Sequence, residues 1–271
     1  MKKTAVVIEN VGPLLDCGRY AIKRLVGDPV RVIADIYKDG HDRVAAALKW
    51  RMSGAKTWQE SPMQQGDNDT WSGSFTVSEI GDCQYTVEAW LDAYETWRDE
   101  FRRKHEAGQE DLSSEALEGA HLLELGAARA KGSDAATLRA AAEELHQAAR
   151  DQALALSARE ELAAVMAKYP DRAIGSEFGP YGRIMVERQA ALFAAWYEFF
   201  PRSAEGRGDR GSSFRDCLAR LDDAKAMGFD VIYFPPIHPI GTTKRKGRNN
   251  ALECGPEDPG VPYAIGNRNQ D

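Results

Sequence analysis

The chain has 271 residues, 43% hydrophobic and 28% charged, which excludes a disordered chain and predicts two domains with a third partly represented. Lys and Arg number 35 against 42 Asp and Glu, a net charge of -7 with no basic stripe, which argues against a nucleic-acid partner. Behind Lys2 and Lys3 only Ala5, Val6, Val7 and Ile8 precede Glu9, too little for the apolar region of a secretory leader, so a cytoplasmic protein without a membrane partner is expected.

From residue 4 to about 91 the pattern is β. Runs at 4–9, 19–25, 30–38, 44–52, 70–77 and 84–91 are separated by Gly, Pro, Asp and Asn clusters, which predicts a small β-sandwich. In the last run Tyr85, Val87, Ala89 and Leu91 fall on one face, and Trp90 on the other suggests that this second face is covered too. The tryptophans Trp50, Trp58, Trp71 and Trp90 carry large apolar area, and core packing is expected of them rather than sugar stacking.

Near Trp97 the composition turns to Arg, Glu, Lys, Ala and Leu, with no proline until Pro170, so several amphipathic helices in an antiparallel bundle are expected. Breaks are marked by Gly108 with Asp111, by 132–134 and by Pro170, with Ser113 or Ser114 and Ser133 or Asp134 as candidate N-caps. GRIMVER at 182–188 then predicts one more strand, which makes the helical stretch an insertion into the sandwich. WYEFF at 196–200, a helix over 213–227 capped by Ser212 or Ser213 and ended by Gly228, and VIYF at 231–234 predict a βαβ unit, with Leu218, Leu221, Ala224 and Ala226 facing the sheet. The cysteines Cys17, Cys83, Cys217 and Cys254 are scattered without zinc-site spacing, and no metal or cofactor site is read from the chain.

FAAWYEFFPRS at 193–203, SFRDCLARLDDAKAMGFDVIYFPPIHPIG at 213–241, RKGRNN at 245–250 and DPGVPYAIG at 258–266 occur in succession. Together they resemble the bacterial maltosyltransferases of the α-amylase superfamily, the GlgE type, with the PIHPIG and KGRNN pair setting these apart from α-amylases generally. Further back, Arg19, Lys23, Arg24 and Gly27, DGHD at 39–42, and AWLDAYETWRDEFRRK at 89–104 resemble that family's N domain leading into its inserted helical S domain. The resemblance covers essentially the whole chain. Val261 and Tyr263 depart from it, standing where a serine and a tryptophan are expected.

With the patterns above, the resemblance implies a multidomain fold: a β-sandwich with an inserted α-helical bundle, followed by the first βαβ unit of an incomplete (β/α)8 barrel. The sandwich is expected at 1–95, the helical insert at 96–170, a returning strand at 171–190 and the barrel start at 191–271. The resemblance also implies transfer of maltosyl units from α-maltose 1-phosphate to the non-reducing end of α-1,4-glucan, with release of phosphate, in a homodimer. Retention requires two carboxyl groups on opposite sides of the anomeric centre and a covalent glycosyl-enzyme. The family places those groups on later barrel strands, beyond residue 271, so no catalytic residue is assigned and this chain alone is expected to be inactive. A noncatalytic glucan-binding or dimerisation module is the competing reading.

Barrel active sites are built from the loops after the strands, so 235–266 is the segment expected at a pocket. Lys246 matches the family lysine that contacts the maltosyl phosphate donor, and an ammonium offers such a ligand three hydrogen bonds and an attractive charge. Asn249 and Asn250 are candidates for sugar hydroxyls or for fixing the loop, and His238, held between prolines, for lining the pocket. Glu198 is read as structural, with a partner such as Arg202, and Asp222 with Asp223 as solvated surface.

Overall fold

The computed structural model describes residues 6–207, 211–238, 243–256, 258 and 265. Two units are resolved, one ending at Glu187 and the other beginning at Arg188. The first holds two β-sheets and five α-helices; the second is mixed.

The first unit opens with β1 (Val7–Gly12), β2 (Ile22–Leu25), β3 (Pro29–Tyr37), β4 (Val44–Met52), β5 (Gln59–Pro62), β6 (Gln64–Gln65), β7 (Thr70–Thr76) and β8 (Gly81–Leu91). One sheet runs β1-β3-β7-β6 and is antiparallel throughout. The second contains β2, β8, β4 and β5, completed after the helices by β9 (Gly175–Glu177) and β10 (Gly182–Glu187). β10 lies between β8, to which it is antiparallel, and β2, to which it is parallel, with Ile184 opposite both Cys83 and Ile22.

Strand alternation explains why these sheets share a core. In β3, Val30, Val32, Ala34 and Ile36 are buried while Arg31 and Ile33 face out, and they meet Leu48, Tyr85, Val87 and Ile184 from the other sheet. Trp71 is buried in the same cluster and donates its Nε1–H to the Ile36 carbonyl at 3.1 Å, while Trp50 stacks on Phe75 with centroids 4.8 Å apart. Trp58 is half-buried under the Arg51 guanidinium, 4.3 Å from its ring. The second face of β8 is covered as well: Thr86 and Trp90 are buried, and Arg172 lies 4.2 Å over the Trp90 ring.

β5, β6 and β9 carry no alternation that a sequence reading could use. QESP and QQ are mostly exposed and GSE is short and half-buried, so none presents an apolar face. β1 begins later than the expected run at 4–9, whose first two residues lie outside the described part.

From β8 the chain enters α1 (Ala93–Glu106), α2 (Ser113–Arg129), α3 (Gly132–Gln147), α4 (Arg150–Ser157) and α5 (Glu160–Lys168). Asp92 caps α1 by accepting the Glu95 amide at 3.0 Å, and Gly108 closes it with φ +79 and the bonds Gly108 N–H to His105 O and Gln109 N–H to Lys104 O. The expected serine caps are not used. Ser113 sits inside α2, and the Asp111 carboxylate accepts its amide at 2.9 Å. α3 starts at Gly132 without a side-chain cap, so neither Ser133 nor Asp134 serves; Asp134 instead accepts from Lys168 Nζ at 3.2 Å and Tyr169 Oη at 3.1 Å, clipping α3 to the end of α5.

A second apolar core holds these helices together. Trp97, Phe101, Leu123, Leu138, Leu145, Leu156 and Leu162 are all buried in it. α2 lets its neighbours approach through Gly119 and Gly126, where an added Cβ would lie 2.0 Å from the Trp97 ring and 2.3 Å from Met166 Sδ. The Trp97 indole donates to the Glu115 carbonyl at 2.7 Å, which orients the ring over Gly119.

In the second unit β11 (Trp196–Glu198) pairs in parallel with β12 (Val231–Tyr233), with α6 (Leu218–Ala226) between them in sequence. The expected helix over 213–227 is split: 215–217 form a 3-10 turn, and its start is secured by Asp216, whose carboxylate accepts the Ser213 amide at 2.7 Å and hydroxyl at 2.9 Å. Gly228, with φ +85, ends α6 through the bonds Gly228 N–H to Lys225 O and Phe229 N–H to Ala224 O. Of the four residues expected to face the sheet only Ala224 is buried; Leu218, Leu221 and Ala226 are exposed, because a two-stranded sheet offers a helix little apolar surface.

Candidate functional site

Parallel pairing brings the carboxyl ends of β11 and β12 to the same edge, where the chain leaves each strand into a loop. The pair is locked at its amino end: Ala195 donates its amide to Asp230 Oδ2 at 2.9 Å, and its carbonyl accepts the Asp230 and Val231 amides at 2.9 and 3.2 Å. Beyond β12, Phe234 packs edge-on to Phe199 at 5.2 Å, and Pro235 is buried. His238 follows and is exposed.

The segment 243–256 folds back on itself. Gly247 donates to the Ala251 carbonyl at 2.9 Å, Arg245 Nη2 to the Asp258 carbonyl at 3.1 Å, and Gly255 to Asp258 Oδ2 at 2.8 Å. Gly247 is required by this closure, since a Cβ there would lie 2.1 Å from the Glu253 carbonyl oxygen. Asn249 and Asn250 are exposed and left-handed, with φ of 54 and 61, a conformation that asparagine tolerates better than most residues. Both therefore shape the turn.

Lys246 lies half-buried between Arg245 and Gly247, and among the described residues no carboxylate pairs with it. Lys244, Arg245, Lys246 and Arg248 gather positive charge in one short loop, and burial, with a smaller push from the Arg245 guanidinium, holds Arg202 below the usual arginine range. The structure brings Lys246, Asn249 and Asn250 together in one turn. His238 sits on the other side of residues 239–242, and no described contact joins it to them. Val261, Tyr263 and Pro239 lie outside the described residues.

The described carboxylates nearby serve structure: Asp230 and Asp216 hold backbone amides, and Asp223 pairs with Arg220 at 3.6 Å. Asp222 and Glu198 are exposed. Sequence reading missed Asp258 and Gly247 as the residues that close the loop; the glycine inside a basic run was the one available signal.

The profile of the N/S domain of α-1,4-glucan:maltose-1-phosphate maltosyltransferases matches residues 4–188. The chain belongs to the maltosyltransferase family. Among curated members, the Chlorobaculum tepidum α-1,4-glucan:maltose-1-phosphate maltosyltransferase is 45% identical over 261 residues, covering 96% of this chain and 39% of the relative. The Myxococcus xanthus maltosyltransferase is 44% identical over 270 residues, 97% of this chain and 40% of its own length. Streptomyces coelicolor maltosyltransferase 1 is 41% identical over 267 residues, again 96% of this chain and 39% of the relative. The chain thus spans about two fifths of the length of these maltosyltransferases.

Proposed function

We propose that this chain forms the N-terminal part of a retaining maltosyltransferase that moves maltosyl units from α-maltose 1-phosphate to the non-reducing end of α-1,4-glucan, releasing phosphate. Family membership over 96% of the chain carries the reading. On it, the first unit is the sandwich with its helical insert, and β11, α6 and β12 are the first βαβ unit of a (β/α)8 barrel; a parallel strand pair with an intervening helix supports this. The assembly is a cytoplasmic homodimer.

Lys246 contacts the donor in this reading, with Asn249, Asn250 and His238 beside it. Support comes from the loop's position after the second parallel strand and from its charge, which suits a dianionic sugar phosphate. The nucleophile, the acid and the third carboxylate lie on later strands. The test is phosphate release: a full-length form carrying the later strands should release phosphate from maltose 1-phosphate when given an α-1,4-glucan acceptor, and the 271-residue chain should release none. Hydrolysis of glucan without phosphate release by the full-length form would refute the reading.

A further inference from the structure

The first unit contains a cavity of about 610 Å³ between the second sheet and the helices, within the ~300–1,000 Å³ range of small-molecule sites. Its walls are mostly apolar: Ala47, Met63 and Trp90 from the sheet side face Leu122, Leu125 and Ala164 from α2 and α5, while the hydroxyls of Ser61 and Tyr94 are buried there without a hydrogen-bond partner among the described residues. Leu125 on its wall is 42% accessible, whereas Met63, Trp71 and Trp90 are buried.

The charged residues around it are nearly all committed. Arg172 is held by Glu60 at 2.8 Å and Glu88 at 3.0 Å, Lys168 by Asp134 at 3.2 Å, and Asp92 caps α1. Asp171, exposed at the rim, accepts the Ala173 amide at 2.9 Å. Arg129 differs. Half-buried at the wall, it donates Nε–H to the Tyr169 carbonyl at 2.9 Å, and among the described residues no carboxylate pairs with either of its terminal nitrogens.

The occupant's chemistry follows from this distribution. Sugar rings bind flat aromatic faces, and Trp71 and Trp90 are only 5% and 6% exposed, with the Trp90 ring covered by Arg172. A largely apolar cavity whose wall carries a guanidinium with both terminal nitrogens unpaired by carboxylate suits an aliphatic tail with an anionic head, the head meeting Arg129 and the tail burying its surface against the alanine and leucine walls. We infer that this cavity of the first unit is a binding site for a monomeric amphiphile with an anionic head group.

The test is isothermal titration calorimetry of the chain with sodium decanoate below its micelle concentration. One-to-one saturable binding is expected, weakened about tenfold in Arg129→Gln, the size of one charge-assisted hydrogen bond. Ala164→Phe, at an exposed helix position on the cavity wall, should abolish it, and Leu125→Asp on the same wall should repel the anion; circular dichroism checks that each variant keeps its helices. No saturable binding overturns the inference. So does binding left unchanged in folded Arg129→Gln and Ala164→Phe, which would place decanoate on exposed apolar surface such as that around Phe193 and Trp196.

Discussion

Replacing Gly119 by alanine sets two effects of known sign against each other. Intrinsic propensity favours alanine in a helix by about 0.5–1 kcal/mol, so an exposed position in α2 would gain stability. At Gly119 the new methyl would lie 2.0, 2.3 and 2.6 Å from three atoms of the Trp97 ring, where ordinary contact begins at 3.4 Å. Relief requires the indole to withdraw by about 1.4 Å. Trp97 is 3% exposed, lies 5.5 Å from both Tyr94 and Phe101, and is tied to the Glu115 carbonyl, so withdrawal displaces two more rings and lengthens that hydrogen bond.

Overpacking of this kind costs about 1–3 kcal/mol and the weakened hydrogen bond about 1 more, against the propensity gain. A net loss of about 2 kcal/mol is expected, which lowers the midpoint of the helical transition by roughly 4–8 °C in a unit of this size. Urea and thermal unfolding followed at 222 nm measure it. Trp97→Leu alone should also destabilise, but Gly119→Ala added to it should cost far less than in the parent, because the overlapping ring is gone. Equal or greater stability of Gly119→Ala in the parent would refute the packing argument and leave propensity in charge.

Glu115 supplies a pH test: the Lys104 ammonium 2.9 Å away holds its carboxyl down to about 2. A depressed folded pKa contributes stability above the unfolded value near 4.3 and loses it as pH falls toward 2, so acid unfolding should steepen between these limits in the parent and flatten in Glu115→Gln. Because Lys104 is 42% exposed, the variant should lose only about 1 kcal/mol at pH 7, read from urea midpoints. In a full-length enzyme of the proposed kind, Lys246→Ala should raise KM for maltose 1-phosphate about 10–100-fold with a smaller change in kcat, and an unchanged KM would remove Lys246 from the proposed donor site. Gly247→Ala should produce a comparable loss in the same phosphate-release assay while unfolding of the first unit is unaltered, because its methyl meets the Glu253 carbonyl within the loop.

The longer strands were legible: 44–52 is both the expected run and β4, and Tyr85, Val87 and Ala89 share one buried face of β8, whose other face is covered at Thr86 and Trp90. Sequence phrases also sufficed to assign the family, since motifs such as RKGRNN survive without reference to coordinates. Short strands such as QESP and GSE were not legible, because three or four residues without a large apolar side chain show no period. Helix starts were misread for a related reason: several polar residues near each start can cap it, and which carboxylate reaches the amide depends on the turn, as Asp111 and Asp216 show.

What the sequence by itself determined, then, was the family and the longer strands and helices, carried by contiguous motif and local periodicity. Tertiary structure alone decided which residues meet across distance: Gly119 under Trp97, Asp134 clipping Lys168, and Arg129 at the wall of the cavity. Those pairings depend on the angle at which one element crosses another, and neighbours along the chain carry almost no record of it.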